Sequence, residues 1–121
     1  MSGKSVGIYL GDKYSVVAFK DATVRVIATG PNNEDLCRSC VAIDRSGSFI
    51  VGNAPYNNWR RYAPNIVVSV RRLMGTVISD PQVKMMKADK DMYPFGIAKK
   101  SGGADDSVVV IMNGKEYTPE Q

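Results

Sequence analysis

The chain has 121 residues, 16 Lys and Arg against 12 Asp and Glu, and no histidine, for a formal charge of +4. Its 44% hydrophobic and 23% charged residues are those of a folded globular protein, and the length suits one domain. A Ser–His–Asp triad, a Cys–His dyad and a His-ligated zinc site are excluded within the chain, and no apolar run approaches the ~18 residues of a membrane span.

Met1-Ser2-Gly3-Lys4 leads into no apolar signal core, which makes the cytoplasm the expected setting. Val6–Leu10 is a short run of strand formers closed by Gly11-Asp12-Lys13, and Tyr14–Phe19 follows as a second strand. Lys20-Asp21-Ala22 turns the chain into Thr23–Ile27, whose alternation predicts a half-exposed third strand. Three strands joined by short turns describe a β-meander, at least partly antiparallel.

Gly30–Asp35 reads as a loop from its turn residues. Cys37-Arg38-Ser39-Cys40 has the spacing of a redox or metal pair. The chain offers no second Cys pair for zinc, and Cys40-Val41-Ala42-Ile43 reads as strand, not as the helix a thioredoxin-like motif opens. Two buried thiols in a reducing compartment are the expectation. A strand over 39–43 and another over Phe49–Val51 precede a helix of about Ala54–Tyr62. Asn53 is its expected cap, Pro55 lies in its first turn, and Pro64 stops it.

Ile66–Met74 carries two signals, extended chain from its valines and one or two helical turns over Val70–Met74. Ser79-Asp80-Pro81-Gln82 fits a capping box before a helix of about Asp80–Ala88. Strands are expected over Phe95–Lys100 and Ser107–Met112, and Asn113-Gly114 is a type I′ hairpin signal leading to Lys115-Glu116-Tyr117. Thr118-Pro119-Glu120-Gln121 has the chemistry of a helix start, with a Thr cap, Pro at the first helical position and Gln at the third. It suggests that the sequence is part of something longer.

The basic pairs Arg60-Arg61, Arg71-Arg72 and Lys99-Lys100 lie far apart and are not interleaved with aromatic platforms, so a nucleic-acid role is not expected. The close acidic pairs, Asp89/Asp91 and Asp105-Asp106, sit in polar loop sequence without an acid–base partner, which argues against a self-contained enzyme. Trp59 and Tyr62, three apart on one helix face, and Met85/Met86 suit either a partner surface or core packing. Core packing is the better expectation for the Trp59/Tyr62 pair.

Val6-Gly7-Ile8-Tyr9-Leu10-Gly11-Asp12-Lys13-Tyr14-Ser15 resembles the opening G-I-D-L-G-T-T-Y-S of the DnaK-type (seventy-kilodalton) heat-shock chaperones. The resemblance continues through Val24–Ala28, Val41-Ala42, Val51–Ala54, Arg72–Gly75, Tyr93–Phe95 and Tyr117–Glu120. It implies a mixed α/β fold, the first part of an actin-like (ribonuclease H-like) ATPase domain: a β-meander sheet followed by a smaller α/β subdomain. About 1–37 and 110–121 would belong to the first subdomain and about 38–110 to the inserted one. In that family the first hairpin wraps nucleotide phosphates, which assigns phosphate contacts to Gly11, Asp12, Lys13 and Tyr14. An Asp on the preceding strand organises Mg²⁺, and a Lys reaches toward the γ-phosphate.

The departures fall on those positions. Tyr9 stands where the family has the Asp, so no metal ligand is expected there. Asp12 and Lys13 replace two Thr, and Arg71 replaces the Lys. Two readings follow from the residues: a hairpin that has drifted without substitute function, or one in which Lys13 and Arg71 contact phosphate as charges while Mg²⁺ binding and turnover are lost. The resemblance thus implies a divergent chaperone or co-chaperone with ATP hydrolysis impaired or absent. ATP or ADP with Mg²⁺ would bind only in a full-length parent, and client polypeptides and co-chaperones would be its partners. The alternative is a protein-interaction scaffold without nucleotide chemistry, and neither nucleic acid nor membrane is an expected partner.

Overall fold

A computed structural model describes residues 5–28, 33–102 and 106–121. The expectations for Met1–Lys4, for the first part of the Gly30–Asp35 loop and for Asp105 fall outside these residues. Among the described residues, ten strands form three antiparallel sheets.

In the first sheet β1 (Val6–Leu10) pairs with β2 (Tyr14–Lys20), and β3 (Val24–Val26) lies on the other side of β2, as the meander predicts. β4 (Cys37–Arg38) continues that side, setting Tyr14 opposite Arg38 and Ser15 opposite Cys37. The strand expected over 39–43 is β5 (Cys40–Ile43), the centre of another sheet, and Cys37–Arg38 is an additional strand that the sequence did not announce. In that second sheet β5 lies between β6 (Phe49–Val51) and β7 (Ile66–Val68). The third sheet is β8 (Gly96–Lys99), β9 (Val108–Met112) and β10 (Lys115–Tyr117), with β9 central. Asn113 and Gly114 take φ of 52° and 72°, the positive pair that a type I′ turn requires.

The second sheet separates two clusters by strand alternation. Cys40, Ala42 and Ile66 face Tyr56, Trp59 and Tyr62. Ile43 and Val67 point the other way, into the main core with Leu73, Val83, Met86, Tyr93, Phe95, Ile97, Val108, Val110 and Met112. Trp59 and Tyr62 are thus packing residues. Met85 and Met86 separate, since Met86 is fully buried while Met85 is 56% exposed, so the two do not share a surface.

The helix expected over 54–62 is broken into α1 (Asn53–Asn57) and α2 (Trp59–Tyr62) at Asn58, whose ψ of 39° is not helical. Gly52 precedes α1 at φ 94°, and no side chain caps it. Asn53, the expected cap, is engaged elsewhere: its Oδ1 accepts from Arg38 N at 2.8 Å and its Nδ2 donates to the Leu36 carbonyl and to Glu34. A cap that ties the first sheet to the second outcompetes a local one. After Ala63, extended as a residue before proline must be, the chain enters β7.

Both signals in 66–74 are realised, one after the other. The extended stretch is β7 and ends at Val68, and Val70–Leu73 forms a single 3-10 turn entered through Ser69 at φ 55°. The third helix, α3 (Pro81–Ala88), is capped by Asp80, whose carboxylate accepts from Gln82 N at 2.8 Å. Ser79 is not the cap, because Pro81 at the first helical position fixes the residue before it as the entry. At 118–121 the chain makes a turn in which Gln121 Oε1 accepts from Thr118 N at 2.7 Å, half of a capping box.

Candidate functional site

The β1–β2 hairpin closes through a hydrogen bond from Gly11 N to the Tyr14 carbonyl at 2.9 Å. Gly11 is buried there, and a Cβ on it would lie 2.4 Å from that carbonyl oxygen and 2.7 Å from the Tyr9 ring. Only glycine fits this approach of backbone to backbone. Ser39 holds the turn from the side: its N donates to the Lys13 carbonyl at 2.9 Å, its Oγ donates to the Gly11 carbonyl at 2.8 Å, and Ser15 Oγ lies 2.7 Å from it.

The 3-10 turn presents two arginines to the same hairpin. Arg71 Nη1 donates to the Leu10 carbonyl at 3.2 Å. Arg72 Nε meets Asp12 Oδ2 at 2.8 Å, and Arg72 Nη1 donates to the Tyr93 hydroxyl at 3.3 Å. Asp12 Oδ1 is buried and has no hydrogen-bond partner among the described residues. Lys13 is exposed, and Tyr9 turns a 63%-exposed phenol to solvent.

The structure thus brings together all the residues that sequence singled out: Tyr9, Gly11, Asp12, Lys13 and Tyr14 on the hairpin, with Arg71 against its mouth. Sequence reasoning passed over Arg72, which makes the stronger contact, and Arg38, which packs on Tyr14. Adjacent arginines on a tight turn diverge, so one can reach a carbonyl while the next reaches a carboxylate. Only the 3-10 geometry reveals which does which. Of the other acidic pairs, Asp89, Asp91 and Asp106 are exposed. Asp89 Oδ1 accepts from Met92 N and Asp106 pairs with Lys99 at 3.4 Å, both exposed. Among the described residues, no three His, Cys, Asp or Glu are grouped to hold a metal ion, and no helix is long and apolar enough to cross a membrane.

Both cysteines are free, but they are not alike. Cys40 is buried as expected, whereas Cys37 is only half-buried, because its strand lies at the margin between two sheets. Burial, with Cys37 adding to it and Arg38 opposing, pushes the Cys40 thiol up to about 12, so it is protonated at neutral pH. Iodoacetamide should therefore alkylate Cys37 first, with Cys40 roughly tenfold slower or more until the chain is unfolded. Peptide mass spectrometry at timed quenches checks the order, and equal native rates would contradict it.

Mixed α/β structure with antiparallel sheets and a glycine-turned first hairpin agrees with the N-terminal part of an actin-like ATPase domain. Residues 5–121 match the family model described as Hsp70 protein. The chain is similar to a heat shock 70 kDa protein of Ajellomyces capsulatus, 32% identical over 118 residues that cover 97% of this chain and 16% of that protein. It is also similar to heat shock 70 kDa protein 2 of Paracoccidioides lutzii (strain ATCC MYA-826 / Pb01), 30% identical over 118 residues, 97% of this chain and 17% of that protein. The chain belongs to the Hsp70 family. It spans about a sixth of the length of these curated relatives.

Proposed function

We propose that these 121 residues serve a divergent heat-shock-type chaperone or co-chaperone whose phosphate-facing hairpin no longer supports ordinary ATP hydrolysis. The observation that carries this reading is the Asp12–Arg72 ion pair at 2.8 Å, which puts a carboxylate of the chain itself at the hairpin turn. A phosphate arriving there meets an anion, and the cation best placed to receive it is already engaged. The residues do not fit a Mg²⁺–phosphate group as they stand. Tyr9 offers no carboxylate, the Gly11 N–H is bonded to Tyr14, and the Arg71 guanidinium leans on the Leu10 carbonyl. Lys13 remains the exposed cation of the turn and supports weak nucleotide contact. Family membership supports client polypeptides and co-chaperones as partners, and two free cysteines suit a reducing, cytoplasmic setting.

Calorimetry and turnover with ATP and Mg²⁺, on the protein that carries these residues, test the reading. The expected outcome is negligible turnover and weak binding, with Asp12→Asn binding at least about tenfold tighter once the like charge is removed. Turnover at the rate of an ordinary family member, or no gain in the variant, would sink the blocked-turn reading.

A further inference from the structure

Arg38 centres a second arrangement that makes no use of the hairpin's Gly11–Arg71–Arg72 contacts. Its backbone is fixed twice, by pairing opposite Tyr14 across β2 and β4 and by the bond from its N to Asn53 Oδ1. Its guanidinium carbon lies 4.4 Å from the centroid of the Tyr14 ring and 4.0 Å from that of Tyr56. The rings attract the cation and hold it in place, but they do not satisfy the five N–H donors of a guanidinium. Among the described residues, no carboxylate or carbonyl oxygen bonds to those donors. An arginine held in place by two rings, with its fork unused, is preorganised for a planar oxyanion.

Arg38 borders a cavity of about 620 Å³, whose walls include Lys13, Tyr56, Trp59, Val68 and Met92, and also a smaller one that Glu34 and Asp35 line. Asp12 and Asp91 also border the larger one, against Lys13 and Arg38, so the lining has no large excess of positive charge. That balance suits a single carboxylate better than a multiply charged phosphate. The aromatic and aliphatic wall suits a flat or apolar body attached to the carboxylate.

We infer that this cavity binds a carboxylate carried on an apolar body, with the carboxylate on the Arg38 fork and the body against Trp59. Such a group comes either from a small organic acid or from the C-terminal end of a polypeptide with an apolar last residue. Trp59 is the sole tryptophan of the chain, so its fluorescence reports occupancy directly.

The probes are benzoate, a tripeptide ending in phenylalanine with a free carboxylate, and the same tripeptide amidated. The expected result is a saturable change in Trp59 emission with one or both acids and none with the amide. Arg38→Gln should weaken it roughly tenfold or more, the equivalent of one lost charge-assisted hydrogen bond. Arg38→Lys, which keeps the charge without the fork, should fall between. Tighter binding of benzoate identifies a small acid as the source, and tighter binding of the free tripeptide identifies a polypeptide end. No saturable response to either acid, an equal response to the amide, or an unaltered affinity in a folded Arg38→Gln chain overturns the inference. If Arg38→Gln does not fold, the acid-against-amide comparison on the unaltered chain decides alone.

Discussion

Phe95→Ala should abolish cooperative folding of the chain or lower its melting temperature steeply. The ring is fully buried, makes an edge-to-face contact with Tyr93 at 6.3 Å between centroids, and lies in the cluster that joins α3 to the second and third sheets. Truncating a buried phenylalanine costs ~3–5 kcal/mol, from lost transfer energy and the cavity left behind. A domain of this size has roughly 5–15 kcal/mol in total, so the loss is a large share of the whole. Tyr93 would also lose its neighbour, and its hydroxyl is the acceptor that steadies Arg72. Thermal denaturation followed by circular dichroism measures the effect. A melting curve within a degree or two of the parent chain would show that the third sheet packs otherwise than described.

The second large effect is local. Gly11→Ala places a methyl group 2.4 Å from the Tyr14 carbonyl, and backbone cannot yield as a side-chain tip can. The hairpin must open, breaking the Gly11–Tyr14 bond and displacing Asp12 from Arg72. Overpacking of this kind costs ~1–3 kcal/mol, occasionally more. Because the main core lies in the other sheets, the damage should stay in β1 and β2. Amide hydrogen exchange should rise by an order of magnitude or more at Leu10–Ser15, while Ile97 and Val110 keep their protection. Uniform loss of protection along the chain would contradict this division of the fold.

How far the sequence reveals this structure depends on the range of the interaction concerned. β1, β2, β6, β9 and the Asn113-Gly114 hairpin follow from alternation and turn chemistry, which act over a few residues. The failures occur where distant residues compete with a local signal. Asn53 is a good cap by its neighbours, yet Arg38 and Leu36 take its side chain. Cys37–Arg38, for which no strand is expected, becomes one because β2 offers it an edge. At the candidate site, the hairpin positions and Arg71 are singled out by the family resemblance alone, and the structure places Arg71 on the Leu10 carbonyl beside that hairpin. Arg72 and Arg38 are not singled out, since their roles depend on Asp12 and on Tyr14 and Tyr56, which reach them only through tertiary pairing.

The first sheet also turns apolar residues outward. Every residue of β1 is exposed, Ile8 by 70%, and across the sheet Val24 is 71% exposed. β1 pairs with β2 alone among the described residues, which leaves its outer backbone edge open there. A flat apolar margin with free N–H and C=O groups is a template for another strand. The Val6–Leu10 margin is thus where a further strand would join the fold, whereas the packing around Phe95 is complete within these residues.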